Sequence, residues 1–322
     1  MNEALLSHAT ETMAVGSKSF DTAAKLFAPA TRRSALMLYA WCRHCDDVID
    51  DQQLGFRAAA AESTPLQRLE TLKALTLRAC AGEPMSDPAF AAFQEVALAH
   101  AIPQQQAFDH LEGYAMDVRG DLYHSLEDTL RYCYHVAGVV GLMMARVMGV
   151  RDEAVLDRAC DLGLAFQLTN IARDIVEDAQ NGRCYLPVSW LAEEGLTLEN
   201  YAQPANRGRL AKIAKRLVEA AEPYYASAEV GLAGLPLRSA WAIATARGVY
   251  REIGVKVERA GDKAWDRRQG TSKAEKLALL AGGGIRALAS RLQRSAPPRS
   301  ASLWQRPCAV SGRAAGAASP AI

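Results

Sequence analysis

At 322 residues, half of them apolar, the chain is long enough for a packed core and does not read as a disordered polypeptide. Lys plus Arg number 37 against 36 for Asp plus Glu, so net charge gives no reason to expect a nucleic-acid partner, and any important charge is local. The seven cysteines are scattered and odd in number, which fits a reducing compartment, the cytoplasm, better than a disulfide framework.

The N-terminus carries Asn2 and Glu3 and no basic residue before an apolar run, so it reads neither as a secretory signal nor as a transit peptide. Apolar positions then recur at helical spacing over about ten segments: 3–15, 31–51, 65–82, 88–101, 104–116, 126–148, 152–180, 207–231, 236–261 and 272–290. Alternating Val/Ile/Thr runs are absent, and the class is all-α. Ser63-Thr64-Pro65, Ser86-Asp87-Pro88, Ile102-Pro103, Ser125-Leu126-Glu127-Asp128 and Leu235-Pro236 punctuate the pattern with caps and prolines. The most apolar stretch, 136–150, is broken by Arg146 and is shorter than the roughly 20 residues that span a bilayer, so it reads as a buried helix. Residues 1–294 read as one helical domain, and 295–322, rich in Pro, Ser, Arg, Ala and Gly, as a disordered tail.

Two acidic clusters carry the chemistry. In 46–51, Asp46 and Asp50 stand four apart, so on a helix their carboxylates share a face and repel until a cation is bound between them. The apolar run from Leu36 to Trp41 makes this a buried helix whose acidic end faces a cavity; a solvated acidic helix end is the plainer alternative. In 170–178, Asn170, Asp174 and Asp178 follow at successive four-residue steps and align three oxygen donors. Hard cations such as Mg²⁺ take such oxygens together with substrate phosphate. Arg173 and Glu177, also four apart, can simply pair; beside a metal stripe, Arg173 instead meets phosphate. Asp117 and Asp121 repeat the spacing more weakly, with Arg119 and Gly120 suggesting a turn and a surface ion pair. The pair Cys42 and Cys45 has no second pair at zinc spacing and reads as buried thiols, and neither cluster fits a Ca²⁺ loop. Nucleotide loops, nucleophile elbows and zincin motifs are absent.

Tyr39-Ala40-Trp41-Cys42-Arg43 running into Asp46-Asp47-Val48-Ile49-Asp50, together with Gln167-Leu168-Thr169-Asn170-Ile171-Ala172-Arg173-Asp174-Ile175-Val176-Glu177-Asp178, resembles the squalene/phytoene synthase family. Ser17-Lys18-Ser19-Phe20, Tyr132-Cys133-Tyr134-His135-Val136-Ala137-Gly138 and Gly182-Arg183-Cys184-Tyr185-Leu186-Pro187 extend the likeness over roughly 10–290, and it is greatest to the bacterial members that form phytoene. The resemblance implies the isoprenoid-synthase fold, a helical domain around a central cavity. It implies head-to-head condensation of two geranylgeranyl diphosphates through prephytoene diphosphate to phytoene, releasing two diphosphates, with Mg²⁺ or Mn²⁺. Ionising an allylic diphosphate needs charge neutralisation on the leaving group, which cations bridged by Asp46, Asp50, Asn170, Asp174 and Asp178 would supply, with Arg43 and Arg173 on phosphate.

By the same resemblance Ser19, Phe20, Tyr39, Tyr132, Gln167, Arg183, Tyr185 and Tyr250 line one cavity, where tyrosines orient diphosphate or stabilise carbocations; ordinary packing is the alternative for each. Val136, Ala137, Gly138 and Gly141 form a small-residue wall that suits either prenyl chains or close helix packing. The rival activities are squalene or dehydrosqualene synthesis from farnesyl diphosphate and cyclisation of a single diphosphate. Reduction to squalene requires NADPH, and with no nicotinamide fingerprint in the sequence none is expected. A non-catalytic helical binding protein of this fold is the rival of another class, and the intact clusters argue against it. Long hydrocarbon substrates and products imply peripheral contact with the cytoplasmic membrane face.

Overall fold

A computed structural model describes residues 3–16, 23–50, 52–53, 56–57, 63–293 and 295–307. The chain is built from helices α1 (Glu3–Gly16), α2 (Pro29–Ile49), α3 (Pro65–Cys80), α4 (Pro88–His100), α5 (Gln104–Arg119), α6 (Leu126–Cys133), α7 (Val139–Val147), α8 (Glu153–Gln180), α9 (Val188–Glu193), α10 (Arg207–Gly231), α11 (Leu237–Ala260) and α12 (Lys273–Ala289). Two two-residue strands, β1 (Gln52–Gln53) and β2 (Phe56–Arg57), pair antiparallel just after the first acidic cluster.

The punctuation in the sequence is realised as caps. Thr64 and Gln67 form a capping box at α3, Ser125 and Asp128 another at α6, and Ser272 and Glu275 a third at α12. Asp87 accepts from the backbone N–H groups of Ala89 and Phe90 and starts α4. At the end of α5, Gly120 takes φ +67 in the left-handed region, where a side chain would be strained.

The stretch read as one helix over 126–148 is instead interrupted: Tyr134–Gly138 is a π-helical turn between α6 and α7. The extra residue in that turn puts Val136 and Ala137 on a cavity wall and brings the backbone hard against α8. A Cβ at Gly163 of α8 would overlap the Ala137 carbonyl, and one at Gly141 would overlap the Ala159 carbonyl. The small-residue wall therefore packs closely on α8, and Val136, Ala137 and Gly141 also line a cavity.

One contiguous core runs from α1 to the last described residues, with Trp41 fully buried and stacked on Phe93 at 4.1 Å. Helix α8 is its axis, packed against α7, α10 and α11. The segment 295–307 is not the disordered tail expected from its composition. Arg299 holds the fully buried Asp161 carboxylate through Nε at 2.8 Å and Nη2 at 2.7 Å. Arg306 pairs with Asp157 and Glu153, Arg158 donates to the Pro297 carbonyl, and Trp304 lies against Tyr134. Three cation contacts and a buried Leu303 outweigh a composition poor in apolar residues. The rest of that tail, 308–322, lies outside the described residues, as do Ser19 and Phe20. No described helix is long and apolar enough to cross a membrane.

Candidate active site

The first cluster ends α2. Asp46 lies one turn before Asp50, the residue that caps the helix. Arg43, one turn earlier, bonds Asp46 at 3.0 Å and the buried Asp47 at 2.7 Å. Burial first, then repulsion from Asp50, pushes the Asp46 carboxyl up to about 6. Asp50 is held by Arg183, from the loop after α8.

The second cluster occupies the last turns of α8. Asp174 takes Arg173 Nε at 2.8 Å and Arg268 Nη2 at 2.8 Å, and Glu177 faces Arg268 at 3.6 Å. The four-residue pair Arg173 and Glu177 is therefore not formed; Arg173 turns to its immediate neighbour. The Asp178 carboxyl makes no hydrogen bond or ion pair among the described residues, although its backbone carbonyl accepts from the Asn181 and Arg183 N–H groups. Burial, reinforced by Asp174 and Glu177, pushes it up to about 7, so it holds a proton near neutrality.

A third acid joins the two clusters. Asp117, on the last turn of α5, accepts from Tyr185 Oη at 3.0 Å and Tyr132 Oη at 3.3 Å, and burial pushes it up to about 6 against the pull of Arg183. The tyrosine rings stack at 4.4 Å, with Tyr123 edge-on to Tyr132 at 5.4 Å. The sequence reading of a surface ion pair holds for Asp121, which pairs with Arg119, but not for Asp117. Four-residue spacing cannot show that the helix ends between them and turns one acid inward.

A cavity of about 430 Å³ opens at Arg43, Asp46 and Asn170 and runs inward along a single face of α8. Val155, Ala159, Leu162, Phe166 and Asn170 recur on that face at steps of three and four, with Gln167 beside Phe166. Fifteen residues of helix give a trench about 22 Å long at 1.5 Å per residue. Opposite α8, Tyr39, Val136, Ala137 and Tyr250 complete the wall, with Tyr250 stacked on Phe166 at 4.1 Å. His110 also lines the trench, and burial lowers it to about 4, so the imidazole is neutral. Burial raises Tyr39 to about 12 despite Arg43, so its hydroxyl stays protonated.

Arg183 and Tyr185 line a second cavity, of about 470 Å³, together with Asp117, Tyr123, Val176 and Tyr201. Tyr132 is buried behind it and forms no wall of either cavity. The expected residues thus do not face one space: Tyr39, Arg43, Asp46, Val136, Ala137, Gln167, Asn170 and Tyr250 line the trench, Arg183 and Tyr185 the second cavity, and Asp50, Tyr132, Arg173, Asp174 and Asp178 line neither. Among the thiols, Cys42 lines the trench, and burial pushes it up to about 12, so it holds its proton.

The donors suit a hard divalent cation. Asn170 donates its amide to Gln167 Oε1 at 3.3 Å, which leaves its buried Oδ1 with no partner. An orphaned carbonyl oxygen one turn before Asp174 is the donor chemistry such an ion takes. Among the described residues no three Asp, Glu, His or Cys side chains converge on one point, so the protein alone makes no closed cage. A cation that also takes substrate phosphate oxygens needs only one or two carboxylates. Arg268, which reaches Asp174 from 94 residues away, had no signal in the spacing, and Asp117, which meets Tyr185 across 68, had only its weak four-residue step to Asp121.

Residues 13–275 match the family model described as squalene/phytoene synthase. The chain is 70% identical over 307 residues to 15-cis-phytoene synthase of Pantoea ananas, covering 95% of this chain and 99% of the relative. It is 68% identical over 307 residues to phytoene synthase of Pseudescherichia vulneris, covering 94% and 98%. Among solved structures it resembles a dehydrosqualene synthase in complex with ligand, with a TM-score of 0.79 and 26% identity over 89% of this chain and 98% of that one. The helical trench, its acidic mouth and these relationships lead to one conclusion: the chain belongs to the squalene/phytoene synthase family.

Proposed function

We propose that the chain is a phytoene synthase that condenses two geranylgeranyl diphosphates head-to-head through prephytoene diphosphate to phytoene and releases two diphosphates. The observation that carries this reading is the long apolar trench with Asp46 and Asn170, one residue from each cluster, in its wall, in a chain 67% to 70% identical to three bacterial phytoene synthases over most of its length.

The diphosphates belong at the mouth. Asp46, Asp50, Asn170, Asp174 and Asp178 are the residues that would hold Mg²⁺ or Mn²⁺, which when bound supplies Lewis-acid stabilisation of the departing diphosphate. Arg43, Arg173 and Arg183 are already beside these carboxylates and are placed to exchange them for phosphate oxygens. Inside, the trench binds prenyl chains and excludes water from the allylic cation, while Tyr39 and Tyr250 offer ring faces to it. Tyr132 acts from behind, holding Asp117 and the ring of Tyr185. Ser19 and Phe20 are proposed from the family motif alone. No step calls for NADPH.

The dehydrosqualene reading from farnesyl diphosphate is favoured by the solved-structure likeness, and trench length is what separates the two. Separate incubations with geranylgeranyl and farnesyl diphosphate, each with Mg²⁺, with chelator, and with or without NADPH, test the proposal through the mass of the hydrocarbon. Phytoene from geranylgeranyl diphosphate and Mg²⁺ alone is expected. Hydrocarbon from farnesyl diphosphate only, or a requirement for NADPH, overturns it. The site of action is the cytoplasm, with peripheral membrane contact.

A further inference from the structure

Joining two geranylgeranyl groups into phytoene without a reductant releases two protons, one as the cyclopropane of prephytoene diphosphate closes and one as the last cation collapses to the central double bond. The second is lost after both diphosphates have left carbon, so a base within reach of the trench interior is called for. That requirement rests on the proposed function. Among the side chains lining the trench, Tyr39, Cys42 and Tyr250 keep their own protons, because burial raises the pKa of each. Asp46 stands at the diphosphate end. His110 and Tyr114, both on α5, are left.

The His110 Nδ1 lies 3.1 Å from the His135 carbonyl, which can only accept. The neutral ring therefore carries its single proton on Nδ1, and Nε2 is bare. Tyr114, one turn later, places its Oη 3.2 Å from that Nε2 and 3.0 Å from the Cys42 carbonyl. Its one proton serves only one of those two acceptors at a time. Three polar contacts thus share two protons, and this buried cluster is one proton short of full pairing. One added proton completes it, with Nδ1–H on His135, Nε2–H on Tyr114 Oη and Oη–H on Cys42.

The position suits the chemistry. Cys42 lies four residues before Asp46 on α2, about 6 Å deeper at 1.5 Å per residue, where carbons just inside the diphosphates belong. The π turn supplies the His135 carbonyl, and Gly113 lets α5 come this close to it, since a Cβ there would stand 2.6 Å from Val136 Cγ1.

We propose that Tyr114 and His110 together take the final proton of the reaction. A C–H bond beside the cationic carbon breaks and its electron pair becomes the second bond of the central double bond. Tyr114 Oη accepts the proton and passes its own to His110 Nε2, so the hydrocarbon becomes neutral and the imidazole becomes imidazolium. A carbocation is a far stronger acid than imidazolium, so a base that burial has weakened suffices. The same burial sends the proton on to released diphosphate and restores the neutral ring.

The test is the product ratio from geranylgeranyl diphosphate and Mg²⁺ for the unaltered protein, His110→Leu and Tyr114→Phe, with phytoene, prephytoene diphosphate and the alcohols from water capture of the cation each measured. The expected result is a phytoene share that falls at least about tenfold in both variants, with the other two products making up the difference. A loss of packing alone slows every product and leaves this ratio in place. A phytoene share unchanged in either variant overturns the inference and assigns the proton to the diphosphate. Should His110→Leu fail to fold, Tyr114→Phe, which loses one oxygen atom, decides by the same ratio. If the unaltered protein acts only on farnesyl diphosphate, the proposed function falls, yet the ratio read on dehydrosqualene still supports or overturns the proton acceptor. A hydrocarbon formed only with NADPH overturns both.

Discussion

Asp178→Asn should make the protein more stable and catalytically dead. In the folded chain the Asp178 carboxyl titrates at about 7 in place of 3.8, because it is largely buried and faces Asp174 and Glu177. A folded pKa above the unfolded one means that the folded state loses stability as pH rises from about 4 to about 7, and carries the full penalty above that. The shift of about three units sets an upper bound near 4 kcal/mol at 1.36 kcal/mol per unit. Residual exposure of the side chain screens the charge, and about 1–2 kcal/mol is the expected gain, or roughly 2–5 °C in melting temperature. Differential scanning calorimetry in chelator at pH 8 and at pH 4.5 reads it: the gain appears at pH 8 and nearly vanishes at pH 4.5. Adding Mg²⁺ and inorganic diphosphate should reverse the order, since a ligand at 100 times its Kd contributes about 2.7 kcal/mol and only the unaltered site retains its full donor set. A gain of equal size at both pH values, or a destabilised variant at pH 8, would refute the claim that the carboxylate is held against its own electrostatics for function.

The remaining expectations concern the same site and its supports. Asp46→Ala and Asp174→Ala should each lower turnover by at least about a hundredfold while sparing the fold, as removal of an electrostatic stabiliser does elsewhere; near-normal turnover with Mg²⁺ would remove them from the ligand set. Arg183→Gln should move the acid limb of the pH–rate profile upward, because Arg183 pulls the Asp117 pKa down and its loss lets that carboxyl hold its proton to higher pH; an unmoved limb would uncouple Asp117 from turnover. Gly163→Ala should cost about 1–3 kcal/mol or more in urea unfolding, since the new methyl overlaps the Ala137 carbonyl, and an unchanged midpoint would mean that α8 and the π turn are not in tight contact.

What could be read from the sequence follows the range of the interactions. Thr64 with Gln67, and Ser125 with Asp128, announce helix starts because a cap is a contact over three residues. Asp46 and Asp50, and Asn170, Asp174 and Asp178, fall on shared helix faces for the same local reason. The π turn at Tyr134–Gly138 was not legible, because its cause is the approach of Gly163 from another helix. Short helix α9 has too few turns for a period to register. Arginine partners were the weakest part of the reading. Arg183 reaches Asp50 across 133 residues and Arg268 reaches Asp174 across 94, and no spacing rule extends that far.

The strap at 295–307 separates two meanings of a boundary. The family-model match stops at 275, within α12, yet Asp161 in the middle of α8 depends on Arg299 for its counter-charge. A fragment trimmed to that match would strand a fully buried carboxylate beside Ser227, a loss of about 3–5 kcal/mol from that site alone. The smallest piece that folds as a unit is therefore set by an ion pair beyond the family-model match, and designs that truncate or fuse this chain should keep residues through at least 307.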